Sequence, residues 1–597
     1  MTERIVNDFS ITVGTVNGSG SSTANNTILR ALFKMGIPVS GKNLFPSNIQ
    51  GLPTWYTIRV NKDGFTARRD EREIVIAINP NSFAKDLDSV VPGGAFFYSD
   101  DIKLAVTRDD IAVYPMPIKS LVKSNPEITT NLRDLVGNMI YVGVLAQMIG
   151  MDMTKIEQAL QFHFKGKTKP IALNMSMVKA GAEWAAANLT KKDPYYVESI
   201  NKTDGLIMAD GNTAGALGSI YGGVQFVGWY PITPATSLAE SLNDYLPVLR
   251  KTEDGKETYA VVQSEDELAA IGMAIGAGWA GLRAMTSTSG PGLSLMTEFY
   301  GLAYYTEVPV VVWDVQRMGP STGLPTRTSQ GDLGFAAHMG HGDTNHIVLM
   351  PGSVNECFEF GWRAFDIAER VQAPVLVMSD LDFGMNQWMT EPFKYPDTPM
   401  DRGKVLWETD LEQIKADWGR YLDKDGDGIP YRTIPGNRHP NSAYFTRGTG
   451  HDEYARYSED SATWMRVLDR IKKKYETAKQ YLPRPVVHNL DGAKVGVIAF
   501  GSTDPAILEA QHLLAEQGLK VDYMRMRSLP SHEDVFEFIR NHERVYVVEM
   551  NRDGHLREIL TVEKPELATR LVSIAYNDGL PLTAKFVANA ILKQENK

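Results

Sequence analysis

At 597 residues with a formal charge of −11, the chain is too acidic for nucleic acid to be its main partner. That length suits about three or four domains of ~100–200 residues. A 43% hydrophobic and 22% charged composition is that of a globular protein, and the single cysteine, Cys357, excludes an internal disulfide and a cysteine-ligated iron–sulfur cluster within the chain.

Met1-Thr2-Glu3-Arg4 is not followed by an apolar stretch of signal-peptide type, and no run reaches the length of a membrane span. The expectation is a cytoplasmic protein with no membrane contact.

The chain opens with a strand at 9–13, a Gly/Ser-rich loop at 14–22 and a helix at 23–35. The loop can offer backbone N–H groups to a phosphate or be a plain α/β turn. It has neither the lysine of a P-loop nor the spacing of a dinucleotide fingerprint. Strands at 74–78, 95–98 and 111–115 and helices at 132–149, 151–163 and 175–187 complete an α/β domain over 1–190.

A second α/β domain is expected over 200–385. A small-residue helix at 214–223 leads into Tyr230-Pro231-Ile232-Thr233-Pro234, where two prolines hold Thr233 on a stiff turn. Thr236 and Ser237 are placed to cap a helix that begins near Leu238, its N-terminus facing an anionic group; a plain proline-rich turn is the competing reading. A strand ending at Val262 runs into Gln263-Ser264-Glu265 and a small-residue helix at 268–281. A further strand enters Thr286-Ser287-Thr288-Ser289-Gly290-Pro291-Gly292. Another, at 308–315, runs into Gln316-Arg317-Met318-Gly319-Pro320-Ser321-Thr322-Gly323-Leu324-Pro325-Thr326. With the strand at 375–378, these imply a parallel sheet covered on both faces, with the unusual residues at carboxyl ends of strands, where ligands bind in open α/β sheets.

Residues 386–485 read as a loop-rich insertion. Asp423, Asp425 and Asp427 with Gly428 have the start of a calcium loop, but position twelve is Ile434 and not Glu; a Ca2+ or Mg2+ site and an acidic turn both remain open. The last α/β domain, 490–597, begins with a strand at 495–500 and a helix at 506–518 closed by a C-terminal glycine.

The four strand-end motifs, in this order, resemble the 2-oxoacid:ferredoxin oxidoreductases, in the form whose gamma and alpha parts are fused. The resemblance implies three α/β domains: a gamma-like domain at 1–190, a pyrimidine-binding domain of the thiamine-diphosphate fold at 200–385 with its insertion at 386–485, and a transketolase-C-like domain at 490–597. It implies an enzyme using thiamine diphosphate, coenzyme A and ferredoxin. The family's Gly-Asp-Gly diphosphate motif has no counterpart after a strand here, since Gly426-Asp427-Gly428 lies in the acidic loop. A beta subunit is therefore expected to bring the diphosphate site, Mg2+ and a [4Fe-4S] cluster, in a dimer of alpha–beta heterodimers.

The resemblance also implies roles. Glu265 would hydrogen-bond the cofactor's pyrimidine, with Ile232, Thr288, Ser289 and Gly290 lining its site. Arg317 would bind the oxoacid carboxylate through its planar fork, aided by Thr233, Ser321 and Thr322. The competing readings are a helix-start carboxylate for Glu265 and an ion pair with Asp314 or Asp332 for Arg317.

The fused form and the segment 431–453 look most similar to members acting on 2-oxoglutarate, as in a reductive TCA cycle. The second carboxylate of that substrate would find partners among Arg327, His338, His341, Arg438, His439 and Arg447. The same chemistry on pyruvate or another 2-oxoacid is the nearer alternative; a non-catalytic metal-binding interaction subunit is the more distant one.

Overall fold

The computed structural model describes residues 3–47, 52–126, 128–414 and 418–595; Met1 and Thr2, at the N-terminal start considered above, lie outside them. The fold is α/β throughout, in two compact units. Among the described residues no helix is long and apolar enough to cross a membrane.

The first unit comprises Met1–Ala209, Asn386–Pro392 and Thr583–Lys585. Its six-stranded sheet has the order Val39–Leu44, Pro53–Asn61, Asp8–Val16, Ile74–Ala77, Ala95–Ser99, Ala112–Met116. The first two strands form an antiparallel edge that the apolar pattern did not reveal. Pairing with Pro53–Asn61 carries the Asp8 strand on to Val16, so the Gly/Ser loop is shorter than expected. The helix Ser21–Lys34 starts just beyond it, and the Thr15 and Ser21 hydroxyls lie 2.9 Å apart, bonded to each other. Trp388–Thr390 returns from the insertion to pair antiparallel with Ile207–Ala209.

The second unit holds two sheets. A seven-stranded sheet runs Ala260–Gln263, Phe226–Trp229, Ala284–Thr288, Val310–Gln316, Pro374–Asp380, Ile347–Leu349, Ser528–Leu529. Its first six strands are parallel, and the last, antiparallel, comes from the C-terminal region. Central strands such as Val310–Gln316 are buried along their whole length, which accounts for their near-continuous apolar sequence. The second sheet runs Val486–His488, Val521–Met526, Val495–Phe500, Arg544–Glu549, Leu571–Ala575. Leu293, Val312, Leu333, Phe500 and Leu556 belong to one continuous core spanning both sheets.

The small-residue helix, Gly211–Tyr221, packs on both a strand and another helix. A Cβ at Gly215 would meet the Trp313 ring at 2.6 Å, and one at Gly218 would lie 2.1 Å from the Phe358 carbonyl oxygen in helix Val354–Val371. Cys357, in that second helix, is wholly buried.

The remaining insertion is fastened to this unit by a buried ion cluster. Glu307, the C-cap of helix Thr297–Thr306, is fully buried. Lys474 Nζ donates to its Oε2 at 2.9 Å, and Arg470 donates to both carboxylate oxygens. Arg420 donates to its carbonyl oxygen at 2.8 Å.

Candidate active site

The site residues stand where the parallel strands of the second unit end. The Phe226–Trp229 strand leads into the 230–234 turn, whose Thr233–Pro234 peptide is cis. Helix Thr236–Leu249 follows with Ala235 at its N-cap and no side-chain cap. The expected capping by Thr236 and Ser237 is thus corrected: Thr236 is already inside the helix, and the Ser237 hydroxyl accepts from Asn212 Nδ2 at 2.7 Å.

At the sheet edge, Gln263 pairs with Trp229, and the Ser264 hydroxyl braces the turn, bonding the Trp229 carbonyl at 3.0 Å and that of Asp266 at 2.8 Å. Asp266, not Glu265, caps helix Glu267–Trp279, accepting from the Ala269 N–H at 2.7 Å. Glu265 is left exposed beside the unpaired edge of the sheet. Ile232 is half-buried on the facing turn.

Thr288 and Ser289 are fully buried at the end of the next strand, and the Ser289 hydroxyl is buried without a hydrogen-bond partner among the described residues. The following strand delivers Arg317, only 6% exposed. Its Nη1 donates to the Thr233 carbonyl oxygen at 2.7 Å. The structure therefore joins the 230–234 and 316–326 motifs directly, through the threonine's carbonyl. Burial holds the guanidinium below the usual arginine value, while the carboxylates of Asp332 and Glu267 work in the other direction.

After Arg317 the chain turns through a cis Gly319–Pro320 peptide and Ser321 at φ 57°, and returns by a hydrogen bond from Leu324 N to Met318 O at 2.9 Å. Arg317, Ser321, Thr322 and Gly290 line one cleft of about 870 Å3. Its other walls include Ser294, Asp332, Asn551, Arg552, His555 and Asn577.

Of the groups considered for a second carboxylate, none lines this cleft; its basic side chains are Arg317, Arg552 and His555. Arg327 instead donates to the Thr326 carbonyl at 2.9 Å, and Arg447 Nε to the Ala455 carbonyl at 3.1 Å. His338 and His341 are exposed. His439 accepts from Asn441 N–H through Nδ1 at 3.1 Å, and Arg438 N–H donates to Glu408 at 2.9 Å.

The acidic residues Asp314, Asp332 and Glu267 were not picked out from sequence as parts of the site, beyond an ion-pair role for the first two. Asp314 lies wholly buried in the Val310–Gln316 strand, and burial together with Asp332 pushes its carboxyl well above the usual range. Burial pushes Asp332 up to about 6, with Asp314 and Arg317 acting against that rise. Glu267 is 7% exposed, close enough to Gly292 that a Cβ there would meet its Cγ at 2.8 Å. The one available signal was an aspartate inside an otherwise apolar strand.

The cation loop is overturned. Lys404 fills the acidic turn: its Nζ lies 2.7 Å from Asp425 Oδ2 and 2.9 Å from both Asp427 carboxylate oxygens, and it donates to the Ile429 carbonyl at 2.9 Å. Asp423 accepts from Gly428 N–H at 2.9 Å. An ammonium supplies the positive charge for which Asp423, Asp425 and Asp427 were read as metal ligands. Among the described residues no group of three or more His, Cys, Asp or Glu is placed to hold a metal ion.

These same facts decide which cofactor parts the chain fits. An exposed carboxylate after the edge strand, and buried hydroxyls at the end of the strand two places further into the same sheet, suit the pyrimidine half of thiamine diphosphate. The Gly426–Gly428 turn, closed by Lys404, does not suit the diphosphate end. An iron–sulfur cluster does not fit: the sole thiol is fully buried in a helix, and burial raises its pKa well above the usual thiol value.

Comparison with known proteins gives the family. The family model "Pyruvate flavodoxin/ferredoxin oxidoreductase, thiamine diP-bdg" matches residues 217–401, and "Pyruvate ferredoxin/flavodoxin oxidoreductase" matches 10–184. The second unit thus contains a thiamine-diphosphate-binding domain of an oxidoreductase. The chain is 31% identical to 2-oxoacid:ferredoxin oxidoreductase 2, subunit alpha, of Aeropyrum pernix, over 98% of this chain and 97% of that one. It is 36% identical to the 2-oxoglutarate synthase subunit KorA of Methanocaldococcus jannaschii, over 57% of this chain and 87% of the relative. A solved structure, 2-oxoglutarate:ferredoxin oxidoreductase from Magnetococcus marinus with 2-oxoglutarate, coenzyme A and succinyl-CoA bound, superposes with a TM-score of 0.88 at 30% identity, covering 98% of this chain and 99% of that one. The chain belongs to the 2-oxoacid:ferredoxin oxidoreductases, as an alpha subunit. The names of these relatives imply partner subunits and ferredoxin.

Proposed function

We propose that the chain acts on 2-oxoglutarate, as the alpha subunit of an enzyme that converts it with coenzyme A to succinyl-CoA and CO2, passing electrons to ferredoxin, and that also runs the reverse carboxylation. The observation that carries this reading is the buried Arg317 guanidinium, fixed to the Thr233 carbonyl at one side of a cleft that also holds Arg552 and His555. A dicarboxylate needs two cationic or hydrogen-bonding ends, because burying either carboxylate unpaired is costly. The whole-length likeness to the Magnetococcus enzyme, named for this substrate, supports the same reading.

Thiamine diphosphate, when bound, supplies the nucleophilic carbon and the electron sink of the reaction. Glu265 would hold its pyrimidine by accepting a hydrogen bond at the carboxylate. Arg317 would clamp the carboxylate next to the oxo carbon through two N–H donors, and the Ser321 and Thr322 hydroxyls would complete its surroundings. Arg552 and His555 would face the distal carboxylate. A beta subunit bearing the cluster, the diphosphate site and Mg2+ completes the assembly, as a dimer of alpha–beta heterodimers in the cytoplasm.

Steady-state assays of the reconstituted complex with 2-oxoglutarate, pyruvate and 2-oxobutyrate test the assignment. The expected order places 2-oxoglutarate first in kcat/KM. A value for pyruvate equal to or higher than that for 2-oxoglutarate would leave only the general 2-oxoacid chemistry.

A further inference from the structure

Arg317 has few fixed partners for a buried cation. One N–H goes to a neutral carbonyl, and its Nε is buried with no acceptor among the described residues. A guanidinium in this setting needs a counter-charge. The carboxylates facing it are Asp332, the stronger influence, and Glu267.

Asp332 is held with unusual care. Its N–H donates to Gln316 Oε1 at 3.2 Å, the side chain of the strand residue immediately before Arg317. It lines the same cleft as Arg317. A Cβ at Gly290 would lie 2.7 Å from Asp332 Oδ1 and 2.8 Å from Oδ2, so a glycine at the first position of helix Gly290–Leu295 gives the carboxyl its room. Asp314 sits two residues before Gln316 and so on the same face of the strand. Both Asp314 oxygens and Asp332 Oδ2 are closed to solvent, and no N–H or O–H elsewhere among the described residues reaches them. Two ionised carboxylates buried side by side repel each other; one shared proton removes the repulsion and gives each a hydrogen-bond partner.

We propose that Asp332, backed by Asp314, is the positioning residue for Arg317: the two carboxyls share one proton and carry one negative charge, and that charge holds the guanidinium in the cleft, ready for the oxoacid carboxylate. Asp314, the more deeply enclosed of the two, keeps the proton and donates it; Asp332 carries the charge. This inference rests on the reading of Arg317 as the carboxylate's partner.

A double-mutant cycle in the assembled complex separates the two ideas. Arg317→Ala alone tests the reading of Arg317, and an unchanged KM for the 2-oxoacid would overturn that reading and this inference with it. Given the expected rise, Asp332→Asn should raise KM about tenfold with kcat within about twofold, yet add less than about twofold on an Arg317→Ala background. Equal effects of Asp332→Asn in both backgrounds would show that it acts independently of Arg317, and the inference would fall. Asp314→Leu gives a second arm if Asp332→Asn does not assemble. It removes the proton donor to Asp332, so KM should rise at least about threefold with kcat within about twofold, and an unchanged KM would overturn the proton-sharing arrangement.

Discussion

Replacing Arg317 with lysine keeps the charge and removes the planar fork. The native side chain uses Nη1 to reach the Thr233 carbonyl at 2.7 Å, leaving its remaining donors for a bidentate grip on a carboxylate. Lysine places one ammonium on a flexible stem and cannot hold the carbonyl and both carboxylate oxygens in one plane. The loss amounts to about one charge-assisted hydrogen bond, ~1.5–3 kcal/mol, or roughly a 10- to 100-fold fall in kcat/KM at about 1.4 kcal/mol per decade. The assay is steady-state turnover of the complex, varying 2-oxoglutarate at saturating coenzyme A and then the reverse. The oxoacid parameters should carry the loss while KM for coenzyme A stays within about twofold. A variant that loses coenzyme A affinity and keeps its oxoacid parameters would refute the reasoning and move Arg317 to the thioester side of the site.

Glu265→Ala should lower kcat by at least ~100-fold, the lower end of what a positioned proton-handling group contributes, with complex assembly and melting temperature unchanged because the carboxylate is exposed; turnover near the parental rate would reduce Glu265 to a helix-start charge. Glu307→Gln leaves Arg470 and Lys474 buried without their counter-charge and should cost ~3–5 kcal/mol in urea unfolding. Burial would raise the Glu307 pKa, but Arg470 and Lys474 override it and hold the carboxylate well below its usual range. Its contribution is therefore fully present above the ordinary glutamate pKa and lost only as pH falls through the depressed folded value. Burial lowers Lys474 to about 8 even beside Glu307, and without that carboxylate it gives up its proton at still lower pH, so the stability gap between parent and variant should widen as pH falls from about 8 to about 5; a gap that closes towards pH 5 would contradict the ion cluster.

The parts of the site that repeat a local pattern could be read from sequence. Buried parallel strands announce themselves as apolar runs, and the motifs at their ends fall on the turns because that is where a parallel sheet exposes its ligand-binding edge. Thus position alone puts Arg317, Thr233 and Gly290 at strand ends, while their roles came from the resemblance. What escaped depends on distant partners. The edge strands Val39–Leu44 and Pro53–Asn61 contain polar residues whose pairing is fixed by the Asp8 strand, not by their own pattern. Ser528–Leu529 joins a sheet whose other strands lie far back in the chain. Asp423–Asp427 has the spacing of a cation loop, but spacing cannot show that Lys404 is folded into it. Asp314 and Asp332 are eighteen positions apart, and only the docking of Asp332, at the start of helix Leu333–Ala337, against the end of the Asp314 strand brings their carboxyls together.

The first unit is assembled from three separate lengths of chain, the large N-terminal one and the short returns at Asn386–Pro392 and Thr583–Lys585. A single protease cut after Ala209 would therefore not free it, since two later stretches of the same polypeptide remain built into it. Dividing the gene at that point would likewise yield an N-terminal product whose Ile207–Ala209 strand has lost Trp388–Thr390 as its neighbour. The covalent continuity of the first unit is thus woven into its secondary structure and is more than a linker between finished domains.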